Sequence, residues 1–171
     1  MCNHGYTTNR VASPAADRRI DWVLLAYRLP REPSSPRIAL WRRLKRLGVV
    51  QLLDGLVALP LDNRNREQLE WLADGVVDAG GEATIWIGAP GSRAQERQLV
   101  AAMSDATAAE YRRVIDEADA ASGGGQRART LARLRRELRR IRARDYFPPA
   151  EREQAREAVE RLAARSQDPV A

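Results

Sequence analysis

The chain has 171 residues, of which 29 are Lys or Arg and 23 are Asp or Glu, so it carries a net charge of +6 and a pI near 10.3. One cysteine excludes an internal disulfide framework and fits a reducing compartment. No apolar run reaches the ~18 to 20 residues of a spanning helix, and the N-terminus lacks the charged start and apolar core of a signal peptide, so a cytoplasmic protein with no membrane partner is expected.

Lys45 is the only lysine, which makes the cationic surface almost wholly guanidinium. That chemistry suits phosphate and carboxylate partners, although a genome rich in guanine and cytosine produces the same bias. Residues 1–20 mix Asn, Thr, Ser, Pro and Gly without periodicity and read as a flexible arm. Cys2 and His4 lie there, and as the only residues of their kinds they cannot complete a Cys/His metal set. No metal or other cofactor is expected.

From Trp22 to Leu29 a nearly unbroken apolar run predicts a buried strand that ends at Arg28. Ser34-Ser35-Pro36 predicts a helix start, with Ser35 as cap and the helix running to Leu47. Ile38, Leu40, Trp41, Leu44 and Leu47 recur at helical spacing and are expected to face the core, through Ile38, Trp41 and Leu44 in particular. Gly48 supplies the left-handed stop. Val49 to Leu53 and Leu56 to Leu59 form a hairpin around Asp54-Gly55. Asp62-Asn63 caps a second helix that buries Leu69, Leu72, Val76 and Val77, with Trp71 near the stripe's edge, and Glu82 to Ile87 is a fourth strand.

The resulting order is β-α-β-β-α-β, the ferredoxin-like pattern, predicted for residues 21–90. From residue 91 to 165 only helical stripes appear: Leu99, Val100 and Met103; Tyr111, Val114, Ile115 and Ala118; Leu131, Leu134, Leu138 and Ile141; and Ala155, Ala158, Val159 and Leu162. A flexible break falls at Ser122 to Gly125, and 166–171 read as a tail. The fold class is therefore α+β, a ferredoxin-like sheet domain followed by an all-helical C-terminal extension.

There is no glycine-rich phosphate loop, metal-ligand motif or nucleophile elbow. The lone histidine is in the arm and the carboxylates are scattered, so an enzyme is not expected. Two arginine clusters remain. The first is Arg37, Arg42, Arg43, Lys45 and Arg46 on the first helix, with Arg28 and Arg31 nearby. The second lies between Arg127 and Arg144, where nine arginines, Arg135, Arg136, Arg139 and Arg140 among them, accompany one acid, Glu137. These faces either meet DNA phosphates or are solvated, the second then pairing with the glutamates of Glu151 to Glu160. Arg28, Arg31 and the first helix's free N–H groups also form a candidate oxyanion site.

The runs YRLPREPSSPRIALWRRLKRLGVVQLLDGLVALP, REQLEWLADGVVDAGGEA and RRIRARDYF, with the Glu/Arg-rich helix that follows, closely resemble the N-terminal region of the ChrB family of chromate-resistance regulators, over about Asp21 to Arg165. The resemblance implies a cytoplasmic transcription regulator that responds to chromate or a related oxyanion, controls a chromate efflux transporter and binds promoter DNA as a homodimer. It further implies likeness to the ferredoxin-like units of the phenylacetate repressor and of the small CRISPR-adaptation nuclease, in which an aspartate at the end of the first strand is the metal ligand. Arg28 stands at that position here, and a cation cannot hold Mg²⁺; Asp21 and Asp54 are the nearest carboxylates. Full members of the family continue into a second domain. The alternative is a non-enzymatic protein-interaction module that works with a separate chromate-resistance domain.

Overall fold

The computed structural model describes residues 19–121 and 124–167. The predicted arm up to residue 18, with Cys2 and His4, the Ser122-Gly123 part of the predicted break, and the tail from residue 168 lie outside them.

The elements are β1 (Trp22–Arg28), α1 (Ser35–Leu47), β2 (Val50–Leu53), β3 (Leu56–Pro60), α2 (Asn63–Asp78), β4 (Glu82–Gly88), α3 (Arg93–Ala120), α4 (Gly124–Arg142) and α5 (Glu151–Gln167). The strands form one sheet in the order β2-β3-β1-β4, with every neighbouring pair antiparallel. The two inner strands carry the core: Trp22, Val23 and Leu25 of β1 and Val57, Ala58 and Leu59 of β3 are all essentially inaccessible. In register, Val23 lies between Leu59 and Ile87, and Leu25 between Val57 and Ile85. That face meets Leu40 and Leu44 of α1 and Leu69, Leu72 and Val76 of α2 in one buried cluster, and each fully buried aliphatic side chain contributes roughly 1.5–3 kcal/mol.

The turns follow from local chemistry. Gly55 between β2 and β3 has φ +77, and a Cβ there would come within 2.4 Å of the Tyr27 carbonyl. The tight approach lets the Tyr27 N–H donate to the Gly55 carbonyl at 2.7 Å. Asp62 caps α2 by accepting from the Asn65 N–H at 2.6 Å. At α1, by contrast, the cap is Ser34 rather than Ser35, and its side chain makes no cap hydrogen bond.

The stripes at Leu99 to Met103 and Tyr111 to Ala118 belong to one helix. With no glycine or proline inside it, α3 continues for 28 residues, about 42 Å at 1.5 Å per residue. Its first half joins the sheet's cluster through Leu99, Val100 and Met103. Its second half packs with α4 and α5 in a separate cluster of Tyr111, Val114, Leu134, Ile141, Ala158 and Leu162, among others.

The loop between α4 and α5 fastens the two clusters together. Tyr111 donates its hydroxyl to Asp145 at 2.8 Å, and burial, followed by this bond, pushes its phenol above the usual value. The Tyr146 hydroxyl lies 3.0 Å from the Leu47 carbonyl and 3.1 Å from Asn65 Oδ1, so its one proton serves either acceptor. Phe147 stacks obliquely on Trp22 with ring centroids 6.1 Å apart.

At the other end of the sheet's approach to α3, Glu96 is a buried carboxylate. It accepts from the Ile20 N–H at 2.6 Å and from Arg93 at 2.9 Å. The Ile20 bond first, and Arg93 after it, hold the carboxyl below the usual range against burial, which acts the other way. A depressed folded-state pKa stabilises the fold above the unfolded value of about 4.3 and ceases to do so as pH falls through the folded value. Melting followed by circular dichroism between about pH 3 and 6 should therefore show a falling Tm on acidification. Glu96→Gln should flatten that dependence, and an unchanged slope would remove Glu96 as its source.

Candidate nucleic-acid interface

Helix α1 places its cations by burying a narrow stripe. Leu40 and Leu44 are 7% and 4% exposed, whereas Ile38 and Trp41, expected in the core, are 46% and 56% exposed. The correction has a geometric cause: the inward direction is set by Leu40, Leu44 and the half-buried Leu47, and Trp41 sits about 100° around the helix from Leu40. Trp41 instead lies under Lys45, whose Nζ is 4.8 Å from its ring centroid, a cation–π contact at the surface. Val77 of α2, also expected inside, is 56% exposed, and Trp71 is 58% exposed.

The cations of the first cluster differ in what they touch. Arg28 forms an ion pair with Glu82 at 2.8 Å, because residues 28 and 82 are register partners at the end of β1 and β4. A carboxylate therefore already occupies the guanidinium expected to receive an oxyanion. Arg37 donates to the Pro30 carbonyl at 2.6 Å and keeps the loop before α1 close to it. Among the described residues, Arg31, Arg42, Arg43, Lys45 and Arg46 have no carboxylate within ion-pair distance. Lys45 and Arg46 occupy the last turn, where positive charge complements the helix dipole. Arg43 and Arg46 also line a cleft of about 250 Å³ between α1 and α2 with Gln68 and Trp71.

The second cluster is partly neutralised, by partners other than those expected. Arg133 pairs with Glu117 and Arg144 with Glu110, both on α3, and Arg140 with Glu137 at 3.7 Å. Three of the four acids of α5 are taken elsewhere: Glu151 by Arg112 of α3 at 2.7 Å, and Glu153 and Glu160 by Arg156 of their own helix. α5 faces the bundle through Ala155, Ala158, Val159 and Leu162. Arg135, Arg136 and Arg139 have no ion-pair partner among the described residues.

The fold brings one end of each cluster together. Arg144, just past α4, reaches the Lys45 carbonyl at 3.5 Å, and its side chain packs on Gly48, whose φ of +72 disfavours any other residue and where a Cβ would sit 3.1 Å from the Arg144 side chain. The C-terminal ends of α1 and α4 are thus neighbours.

Two further features escape sequence reasoning. Leu24, Ala58 and Trp86 of the sheet's second face, with Trp22, Gln98 and Leu99, line an apolar cavity of about 740 Å³ bordered by the start of α3. Trp86 is 61% exposed on it; an alternation pattern assigns residues to faces but does not say which face stays uncovered. The two carboxylates named as candidates beside Arg28, Asp21 and Asp54, also separate. Asp21 precedes β1 and accepts from Leu61 N through its carbonyl, while Asp54 sits in the hairpin turn at the far end of that strand. Among the described residues, no group of three or more His, Cys, Asp or Glu is placed to hold a metal ion. No helix among them is long and apolar enough to cross a membrane.

Comparison with known proteins gives one family. A family model described as "Protein ChrB, N-terminal" matches residues 37–122, half of the chain. "Protein ChrB" of Cupriavidus metallidurans is 33% identical over 95 residues, which cover 56% of this chain and 26% of that protein. The matched part of the chain therefore corresponds to about a quarter of that relative's length. No solved structure matches.

The orientation of α1 is open to direct test. Leu40→Ala should lower unfolding stability by about 2–5 kcal/mol, as for a buried leucine, and Trp41→Ala by less than about 1 kcal/mol. Urea titration checks both, and comparable losses would contradict the outward placement of Trp41.

Proposed function

This chain belongs to the ChrB N-terminal family, and we propose that it is a DNA-binding transcriptional regulator of the ChrB type, non-enzymatic, cytoplasmic and acting as a homodimer on the promoters of chromate resistance and efflux genes. The observation that carries the reading is the unpaired basic face of α1. Eleven ion pairs connect described residues elsewhere, yet Arg42, Arg43, Lys45 and Arg46 take part in none of them. Exposed guanidinium groups without a carboxylate partner retain their full attraction for phosphate, and each phosphate neutralised releases condensed counterions.

Arg135, Arg136 and Arg139 of α4 are a second candidate contact, on a helix whose C-terminal end adjoins that of α1, while Arg140 and Arg37 make local contacts. We read the β-α-β-β-α-β order with strands β2-β3-β1-β4 as ferredoxin-like, a scaffold whose first helix carries the contacts while the sheet holds it in place. Response to chromate, or to a related oxyanion, at the start of α1 rests on Arg31 and the first-turn N–H groups, since Arg28 is held by Glu82. A second reading, an interaction module serving a separate chromate-resistance domain, is favoured by the apolar cavity against the sheet.

A gel shift on the upstream region of a chromate efflux gene, repeated across salt, tests the first reading. Affinity should fall steeply between about 50 and 200 mM salt, and the double variant Arg42→Ala, Arg43→Ala should weaken binding to all sequences and make the log–log salt slope shallower by about 2. Affinity indifferent to salt, or unaltered in the double variant, would overturn it.

A further inference from the structure

The sheet has two edges, and they are finished differently. The β2 edge is short, at four residues, and its register with β3 is irregular between Gln51 and Leu53. Val50 and Gln51 also border α3, with Ala102 and Met103 lining the groove between them. Such an edge is a poor template for another strand. The β4 edge has none of these protections. Its seven residues pair with β1 without interruption, from Glu82↔Arg28 to Gly88↔Trp22. It contains no proline, lysine or arginine, and its one charge, Glu82 at the first position, is already bound to Arg28. Trp86 on one face and Ile87 on the other are 61% and 52% exposed. An edge this long, unbulged and apolar presents a row of backbone groups with no partner strand among the described residues, and such an edge calls for one.

We infer that the partner is β4 of a second copy of this chain, joined antiparallel about a two-fold axis through Ile85 and perpendicular to the sheet. The homodimer itself belongs to the function proposed above; the surface and register are what the structure adds. A second copy fits because the strand complements itself. Residues opposite each other in an antiparallel pair share a face, so the pairing must sum to an even number. Centred on Ile85, all seven residues are used: Glu82 meets Gly88, Ala83 meets Ile87 and Thr84 meets Trp86, each on the partner strand. Every exposed bulky residue then faces a small one, and no charge faces a charge. Centring on Thr84 or Trp86 pairs only five residues, and the latter sets Trp86 against its own copy.

The arrangement also bears on DNA. An axis perpendicular to the sheet keeps each face on its own side, so the helical layers of both copies, and both sets of α1 cations, end on the same side of a continuous eight-stranded sheet. A duplex lying on that side meets twice the cations, and the salt slope of the dimer exceeds that of a single copy. Isologous pairing of this kind closes on itself and leaves only the two blunted β2 edges outside.

Sedimentation of the whole chain, with three variants, tests this. The wild-type chain should be a dimer at micromolar concentration, and Ile87→Lys, which sets an ammonium against Ala83 of the other copy, should weaken association by at least about tenfold. Leu53→Lys, on the opposite edge and 68% exposed, should leave the dimer intact. Thermal melts of each variant check the fold. In a Cys2→Ala background, Ile85→Cys is the only thiol. Its Cα would lie about 4.5–5.5 Å from its symmetry mate, within disulfide range, so mild oxidation should cross-link the dimer. A chain that stays monomeric at about 100 µM, a dimer indifferent to Ile87→Lys, or a dimer in which Ile85→Cys does not cross-link overturns the assignment. The two proposals fail separately: Arg42→Ala, Arg43→Ala should leave the dimer intact while losing DNA, and Ile87→Lys should bind DNA as a monomer with a shallower salt slope.

Discussion

Everything built on this chain depends on the contact between the α4–α5 loop and the C-terminal end of α1. Tyr146 serves the carbonyl of Leu47 and the side chain of Asn65, Phe147 covers Trp22, and Arg144 lies across Gly48. Without that contact the sheet and the helical bundle would be joined through α3 alone, a long helix whose two halves are buried in different clusters. With it, the last turn of α1 is held at one side by the sheet and at the other by residues about a hundred positions later in the chain. Gly48 favours the closeness, since its left-handed backbone strains any other residue and a Cβ would crowd Arg144 at 3.1 Å.

The same junction shapes the electrostatics. Arg144 is itself occupied by Glu110, so it acts as a fastener, while Lys45 and Arg46 in the last turn of α1 have no carboxylate partner among the described residues. Arginine is abundant throughout the chain, but the packing sorts it. Guanidinium groups facing the α3–α4 seam find glutamates, and Arg156 is clamped by two glutamates of its own helix. Exposed pairs of this kind contribute little stability, typically 0–1 kcal/mol; their consequence here is to leave the α1 face as the cationic surface with the least internal compensation.

Apolar exposure is sorted in a similar way. Trp86 and Ile87 flank the one long unblunted edge, and the second face of the sheet is only partly bordered by α3. The two surfaces differ in chemistry, backbone hydrogen-bonding groups at the edge and aliphatic and aromatic side chains over the cavity, so different kinds of partner suit them.

Local rules were enough to read much of this from the sequence. The Asp54-Gly55 hairpin, the Asp62 cap, the Gly48 stop and the four strands depend on neighbouring residues alone, and the strands lie within one residue of their predicted limits. The candidate site was legible as a set of arginines on a helix. Which of them are free was not, because Arg28 meets Glu82 through strand register across 54 positions, and Arg133 and Arg144 meet Glu117 and Glu110 through helix packing. The misplacement of Ile38 and Trp41 has the same origin: five apolar residues span more of α1 than its contact with the sheet can bury. Periodicity determines that a helix has an apolar side, and therefore the sequence by itself determined the elements and their order. Only the tertiary structure decided which part of that side is covered, because the width of the buried stripe is set by the shape of the surface it meets.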